Sequence, residues 1–128
     1  MNTIRICIIK LGALGDVVRT TPLLLGIKEK YPDSEITWIT ISNAKEILED
    51  NKLINNLLFI PCEIQENFDI LYNLDIENEA TKLALKINAE KKYGFYDNEG
   101  FPAAFNSAAE YYLNTVFDDE IKKSNRKT

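Results

Sequence analysis

Residues Ile4 to Ile9 form a β-branched run in which successive positions are apolar, with Arg5 as its one interruption. A strand that is apolar on both faces has to be covered on both. That is the condition of a parallel strand inside an α/β sheet rather than of a half-exposed antiparallel one. Gly12 and Gly15 end the strand, and helical character follows with Leu23, Leu24, Ile27 and Tyr31 on one stripe. Thr21 and Pro22 read as the N-cap and first-turn proline of that helix, and Pro32-Asp33 closes it.

The alternation continues along the chain. Glu35 to Ile41 is a second strand, Ser42 or Asn43 caps a short helix through Leu48, and Leu57 to Ile60 is a third strand ending at Pro61. Phe68 to Leu74 is a fourth strand. Glu77 to Ile87 is an amphipathic helix with Ala80, Leu83, Ala84 and Ile87 inward, and Lys92 to Tyr96 is a fifth strand. Strands alternating with helices predict an α/β sandwich with a mostly parallel sheet. Asp97 to Gly100 is then a turn, Phe101-Pro102 an irregular stretch, and Ala108 to Val116 a helix carrying Tyr111, Tyr112 and Leu113. The tail, Asp118 to Thr128, is charged like a linker. With 128 residues, 45% of them hydrophobic, the expectation is one domain over 1–117 with a continuous core, followed by that tail.

Composition removes several kinds of chemistry. A net charge of -5 argues against a sequence-independent nucleic-acid binder, which needs a basic face for the phosphates. The absence of histidine excludes a Ser-His-Asp triad, a Cys-His pair and every histidine-containing zinc site. Cys7 and Cys62 are too few and too far apart in sequence for a thiolate cluster, so no metal site is expected, and Cys7 reads as a buried thiol in a reducing compartment rather than half of a disulfide. Arg5 breaks the first apolar run and no stretch approaches a membrane span, so the expected location is the cytoplasm.

In an open parallel sheet, ligands collect beyond the carboxyl ends of the strands near a topological switch point, which directs attention to Gly12–Asp16. Glycine at 12 and 15 permits positive φ and close approach of a ligand, and the following helix start offers N–H groups to an anion. The established phosphate signatures do not fit: Gly12-x-x-Gly15 has neither the third glycine of a dinucleotide fingerprint nor the lysine of a P-loop. Asp16 has two readings that coexist. It is a helix-start carboxylate worth about 1 kcal/mol as a cap, or a general base within reach of a hydroxyl. Lys10 and Arg19 flank the loop, either as phosphate-recognising cations or as solvated charge. Thr20 and Thr21 read as turn and cap residues, Asp75 as a second acidic candidate or a cap of the Glu77 helix, and Trp38 as core or rim.

The run Ile9-Lys10-Leu11-Gly12-Ala13-Leu14-Gly15-Asp16-Val17-Val18-Arg19-Thr20-Thr21-Pro22, followed by Leu23-Leu24 and Lys28-Glu29-Lys30-Tyr31-Pro32, resembles the N-terminal signature of the family 9 glycosyltransferases, the ADP-heptose:lipopolysaccharide heptosyltransferases. Ile36 to Thr40, Phe68 to Asp75 and Lys91 to Phe95 fall where that family's next strands lie. The resemblance implies a Rossmann-like three-layer sandwich, the N-terminal half of a GT-B architecture, which binds the acceptor while a C-terminal domain holds most of the nucleotide sugar. It further implies that Asp16 is the catalytic base of an inverting displacement on ADP-heptose. Lys10, Gly12, Ala13, Gly15, Arg19 and Thr20 would lie at the substrates. Some members carry hydroxyl side chains where this chain has Gly12 and Ala13, so side-chain hydrogen bonds to the ligand from those positions are not carried over, whereas backbone contacts are. ADP-heptose is then a substrate rather than a cofactor, and the partners are a glycan or glycolipid acceptor and, for a full-length protein, the inner face of the cytoplasmic membrane. The chain ends about where the family's interdomain connection begins, so the donor domain is expected to be missing and the chain inactive by itself. A non-catalytic Rossmann-like module for a nucleotide or phosphosugar is the alternative.

Overall fold

The computed structural model describes residues 3–12 and 14–104, with side chains except at positions 16, 102 and 104. The first strand, β1 (Ile4–Ile9), spans the apolar run to the residue. It is followed by α1 (Leu14–Thr20) and α2 (Pro22–Lys30), then β2 (Ser34–Thr40), a 3-10 turn (Ser42–Ala44), α3 (Lys45–Leu48) and β3 (Asn56–Phe59). The remainder is β4 (Asn67–Asn73), α4 (Asn78–Lys86), β5 (Asn88–Asn98) and β6 (Phe101–Ala104).

The six strands form one sheet in the order β3-β2-β1-β4-β5-β6. The first five are mutually parallel. β1 lies between β2 (Ile8 opposite Trp38) and β4 (Ile8 opposite Tyr72), so the chain turns outward in both directions from β1. Side chains of β1 alternate between two cores. Ile6 and Ile8 pack with Val17 of α1, Leu24 and Ile27 of α2, Ala44, Leu48 of α3, and Trp38. Cys7 and Ile9 pack on the other face with Leu71 and with Ala80 and Ala84 of α4. The expected three-layer α/β sandwich follows from these two cores, and each fully buried Ile or Leu stabilises it by roughly 1.5–3 kcal/mol.

Several local expectations are corrected. The helix read from Thr21 is preceded by α1, which begins at Leu14. Thr21 sits in helical conformation and makes no side-chain cap; its hydroxyl donates to the Val18 carbonyl at 2.7 Å. No Ser42 or Asn43 side-chain cap forms before α3. β5 extends well beyond Lys92 to Tyr96 because β4 and then β6 pair along it. The turn expected at Asp97 to Gly100 is present, as a two-residue hairpin with Glu99 and Gly100 both at positive φ (53° and 90°), but Phe101-Pro102 is not irregular: it starts antiparallel β6. Ala13, the helix read over Ala108 to Val116 and the tail lie outside the described residues.

Candidate functional site

Adjacent strands that send their connections to opposite sides leave a crevice at their carboxyl ends. Here that point lies between β1 and β4, and the two exit segments are joined directly. Leu74 N–H donates to the Ile9 carbonyl at 3.0 Å and Lys10 N–H to the Ile39 carbonyl at 3.1 Å, carrying the sheet pairing past the last strand residues. Asp75 Oδ2 accepts from the N–H groups of Leu11 (2.9 Å) and Gly12 (2.8 Å), and Asp75 Oδ1 accepts from Glu77 N–H (3.1 Å). Behind it, Asp75 N–H donates to Asn73 Oδ1 at 3.0 Å, and the Asn73 amide donates to the Phe95 carbonyl at 2.8 Å.

These groups are interior. Asp75 is 4% exposed, Asn73 0% and Lys10 4%, with the Lys10 ammonium 3.4 Å from the Leu74 carbonyl. A buried carboxylate without donors would be strongly disfavoured; three backbone N–H groups supply them here. Asp75 does not cap α4, whose N-cap residue is Glu77 without a side-chain cap bond. Its role in the loop was therefore missed, although Asn73-x-Asp75 at a strand exit is itself a turn signal.

Immediately beyond the loop, α1 is anchored by buried Val17 and presents Leu14, Gly15, Val18 and Arg19 to solvent. Asp16 is the third residue of α1, in its first turn; its side chain and Ala13 lie outside the described set. Gly15 is helical rather than in the positive-φ region, and a Cβ placed on it meets nothing within 4 Å. Arg19 occupies the last turn of α1, Thr20 is half-buried at its end, and both are engaged within the chain. Of the sequence candidates, Lys10, Gly12, Gly15 and the Asp16 backbone therefore cluster at the β1 exit, while Arg19 and Thr20 lie a turn further along α1.

Elsewhere, Trp38 is core, and Cys7 and Cys62 are both free thiols. Burial, with Cys62 and Glu66 nearby, pushes the Cys7 thiol far up, and burial raises Cys62 as well. Among the described residues no group of three or more Cys, Asp or Glu side chains is placed to hold a metal, and no helix is long and apolar enough to cross a membrane.

No protein-family model matches the chain. The lipopolysaccharide core heptosyltransferase OpsX of Haemophilus influenzae is 30% identical over 105 residues, covering 70% of this chain and 29% of that protein. Lipopolysaccharide heptosyltransferase 1 of Campylobacter coli is 35% identical over 78 residues, 61% of this chain and 22% of that one. Among solved structures, a family 9 glycosyltransferase from Veillonella parvula DSM 2008 superposes with a TM-score of 0.63 at 23% identity, over 88% of this chain and 40% of its own. The E. coli heptosyltransferase WaaC with ADP gives 0.59 at 18% identity, over 71% and 35%. The two structures establish the likeness of fold, and the two sequences carry it to the heptosyltransferases. The chain spans under a third of the length of either curated relative; it is similar in sequence to lipopolysaccharide heptosyltransferases and in fold to a family 9 glycosyltransferase.

Proposed function

We propose that this chain is the acceptor-side domain of an inverting glycosyltransferase that moves heptose from ADP-heptose to a lipopolysaccharide-type glycan, with Asp16 as general base. The observation that carries the reading is the coincidence, at the sheet's switch point, of the β1 exit loop with the open first turn of α1 that contains Gly15 and Asp16. A carboxylate there takes the proton from an acceptor hydroxyl as its oxygen attacks the anomeric carbon. The new C–O bond forms opposite the breaking bond to ADP, and the configuration inverts. Gly15 leaves room for the sugar. Arg19 supplies positive charge for anionic groups of the acceptor or for the leaving diphosphate, and Lys10 acts from inside the loop.

The donor is held mainly by a second domain, and no cofactor enters the displacement. The reaction is assigned to the cytoplasm, where the two-domain protein meets its glycolipid acceptor at the inner face of the cytoplasmic membrane.

The test is Asp16→Asn in the two-domain protein, with folding checked by circular dichroism. Transfer is expected to fall by roughly 10²- to 10⁴-fold. A near-normal rate reduces Asp16 to a helix cap. Titration of the 128-residue chain discriminates further: lipopolysaccharide core fragments are expected to shift amide resonances between Leu11 and Thr20. Tight binding of ADP by this chain alone supports the non-catalytic nucleotide module instead.

A further inference from the structure

A glycine loop that leaves a β-strand at a switch point is ordinarily an anion cradle, because its backbone N–H groups point at whatever ligand docks there. In this chain two of those groups already have an anion. Asp75 Oδ2 accepts both Leu11 N–H and Gly12 N–H, at 2.9 and 2.8 Å, and the other oxygen is held by Glu77 N–H. The carboxylate is buried and comes from 64 residues away in sequence, so it is a constructed part of the loop rather than a local turn. It is also held from behind: its own N–H is fixed by Asn73, whose amide is fixed by the Phe95 carbonyl on β5. A continuous set of hydrogen bonds therefore runs from β5 through Asn73 and Asp75 to the residues that precede α1.

We propose that Asp75 is the positioning residue of this site. Its carboxylate occupies the place a ligand phosphate would take in the β1 exit loop, locks Leu11 and Gly12 to the β4 exit, and thereby sets where α1 and Asp16 begin. Two consequences follow. The Leu11 and Gly12 amides do not bind phosphate, so ligand anions are met elsewhere, by side chains or by the donor half. And the reach of Asp16 to an acceptor hydroxyl depends on Asp75, which itself touches no substrate; this kinetic consequence rests on the reading of Asp16 as base, whereas the structural one does not.

The structural consequence is tested on the 128-residue chain by amide hydrogen exchange and nitrogen-15 resonance shifts. In Asp75→Ala the Leu11 and Gly12 amides are expected to exchange roughly tenfold or more faster, with those of Ile6 to Ile9 unchanged. Added sodium acetate is expected to enter the vacated place and restore protection at Leu11 and Gly12. In the wild type neither acetate nor inorganic phosphate moves these two resonances. Shifts of Leu11 and Gly12 with inorganic phosphate in the wild type, or unchanged exchange in a folded Asp75→Ala, overturn the proposal. Should Asp75→Ala fail to fold, Asp75→Asn preserves the volume and one acceptor oxygen. Partial loss of protection is then expected, and wild-type protection overturns the assignment.

The kinetic consequence is read in the two-domain protein. Asp75→Ala or Asp75→Asn is expected to lower kcat on the order of 10- to 100-fold with little change in the acceptor KM, and acetate is expected to recover part of the loss in the alanine variant. Full kcat in the Asp75 variants beside an inactive Asp16→Asn overturns positioning and leaves the base reading standing. An active Asp16→Asn overturns the base reading, while the exchange results continue to decide the role of Asp75 in the loop.

Discussion

Gly94 and Gly15 sit near the same sheet and do opposite things. Gly94, on β5, lies opposite Asn73 with φ at +101°, and a Cβ there would run into the Asn73 carbonyl. Gly15, in α1, has ordinary helical backbone and open space where its side chain would be. The conformational argument usually made for a glycine-rich ligand loop therefore applies to the interior position. At Gly15, glycine is a matter of access. Gly94 lets β5 lie close against the residue that anchors Asp75, and Gly15 leaves the surface above that anchored loop clear.

The largest break in this contrast is Gly94→Ala. It combines an L-residue in the positive-φ region with a collision against backbone that has no room to move, and a loss of about 3–5 kcal/mol is expected in urea denaturation. Because the clash falls on Asn73, the Leu11 and Gly12 amides should lose protection as well. A variant with wild-type stability would mean that β4 and β5 can separate locally without cost, and the route from β5 to the loop would then not be rigid.

How much of this was legible in sequence divides along the same line. β1 is legible to the residue because a doubly apolar run has one environment available to it, and the alternation that follows gives the layers. Asp75 is visible as a polar residue at a strand exit, yet its partners lie 63 and 64 residues away and meet it only through the pairing of β1 with β4. Local propensity contains nothing about that distance. Gly94 likewise looks like any glycine in a short strand until β4 is beside it. β6 is hidden because Pro102 is a poor strand residue, and the register set by the Glu99-Gly100 turn overrides it. The family signature was readable because it lies in contiguous residues, Ile9 to Pro22.

Ionisation offers an intermediate test of interior against edge. Cys7 is on the central strand, and burial raises its thiol far above the ordinary range. Above the unfolded thiol value near 8.5, the unfolded chain loses this proton while the folded one keeps it, so stability must fall with rising pH, by up to about 1.4 kcal/mol per unit. Lys92, whose ammonium donates to the Ala84 and Leu85 carbonyls, is shifted down by burial. Between its folded and unfolded values the unfolded chain holds more protons, so its contribution rises with pH and partly offsets the thiol at the alkaline end. The reading is therefore differential: urea midpoints from pH 8 to 10 in wild type and Cys7→Ala, the variant showing the shallower decline. Parallel slopes would mean that the thiol is ionised in place, and that the strand beneath the site is wetter than its packing implies.

Gly15→Ala should have the smallest effect on stability and is the most direct probe of access. Alanine is the better helix former by up to about 1 kcal/mol, and its methyl group meets nothing in the chain, so a stability equal to wild type or slightly higher is expected. If the space above α1 is where the acceptor lies, the same methyl group stands in its way. Binding of lipopolysaccharide core fragments, followed by calorimetry, should then weaken while the fold gains. Such a split cannot come from damage to the fold, because the two changes have opposite sign. Unchanged binding in a folded Gly15→Ala would move the acceptor off the first turn of α1 and leave Gly15 without a reason to be glycine, whereas weakened binding together with a weakened fold would return it to the class of Gly94.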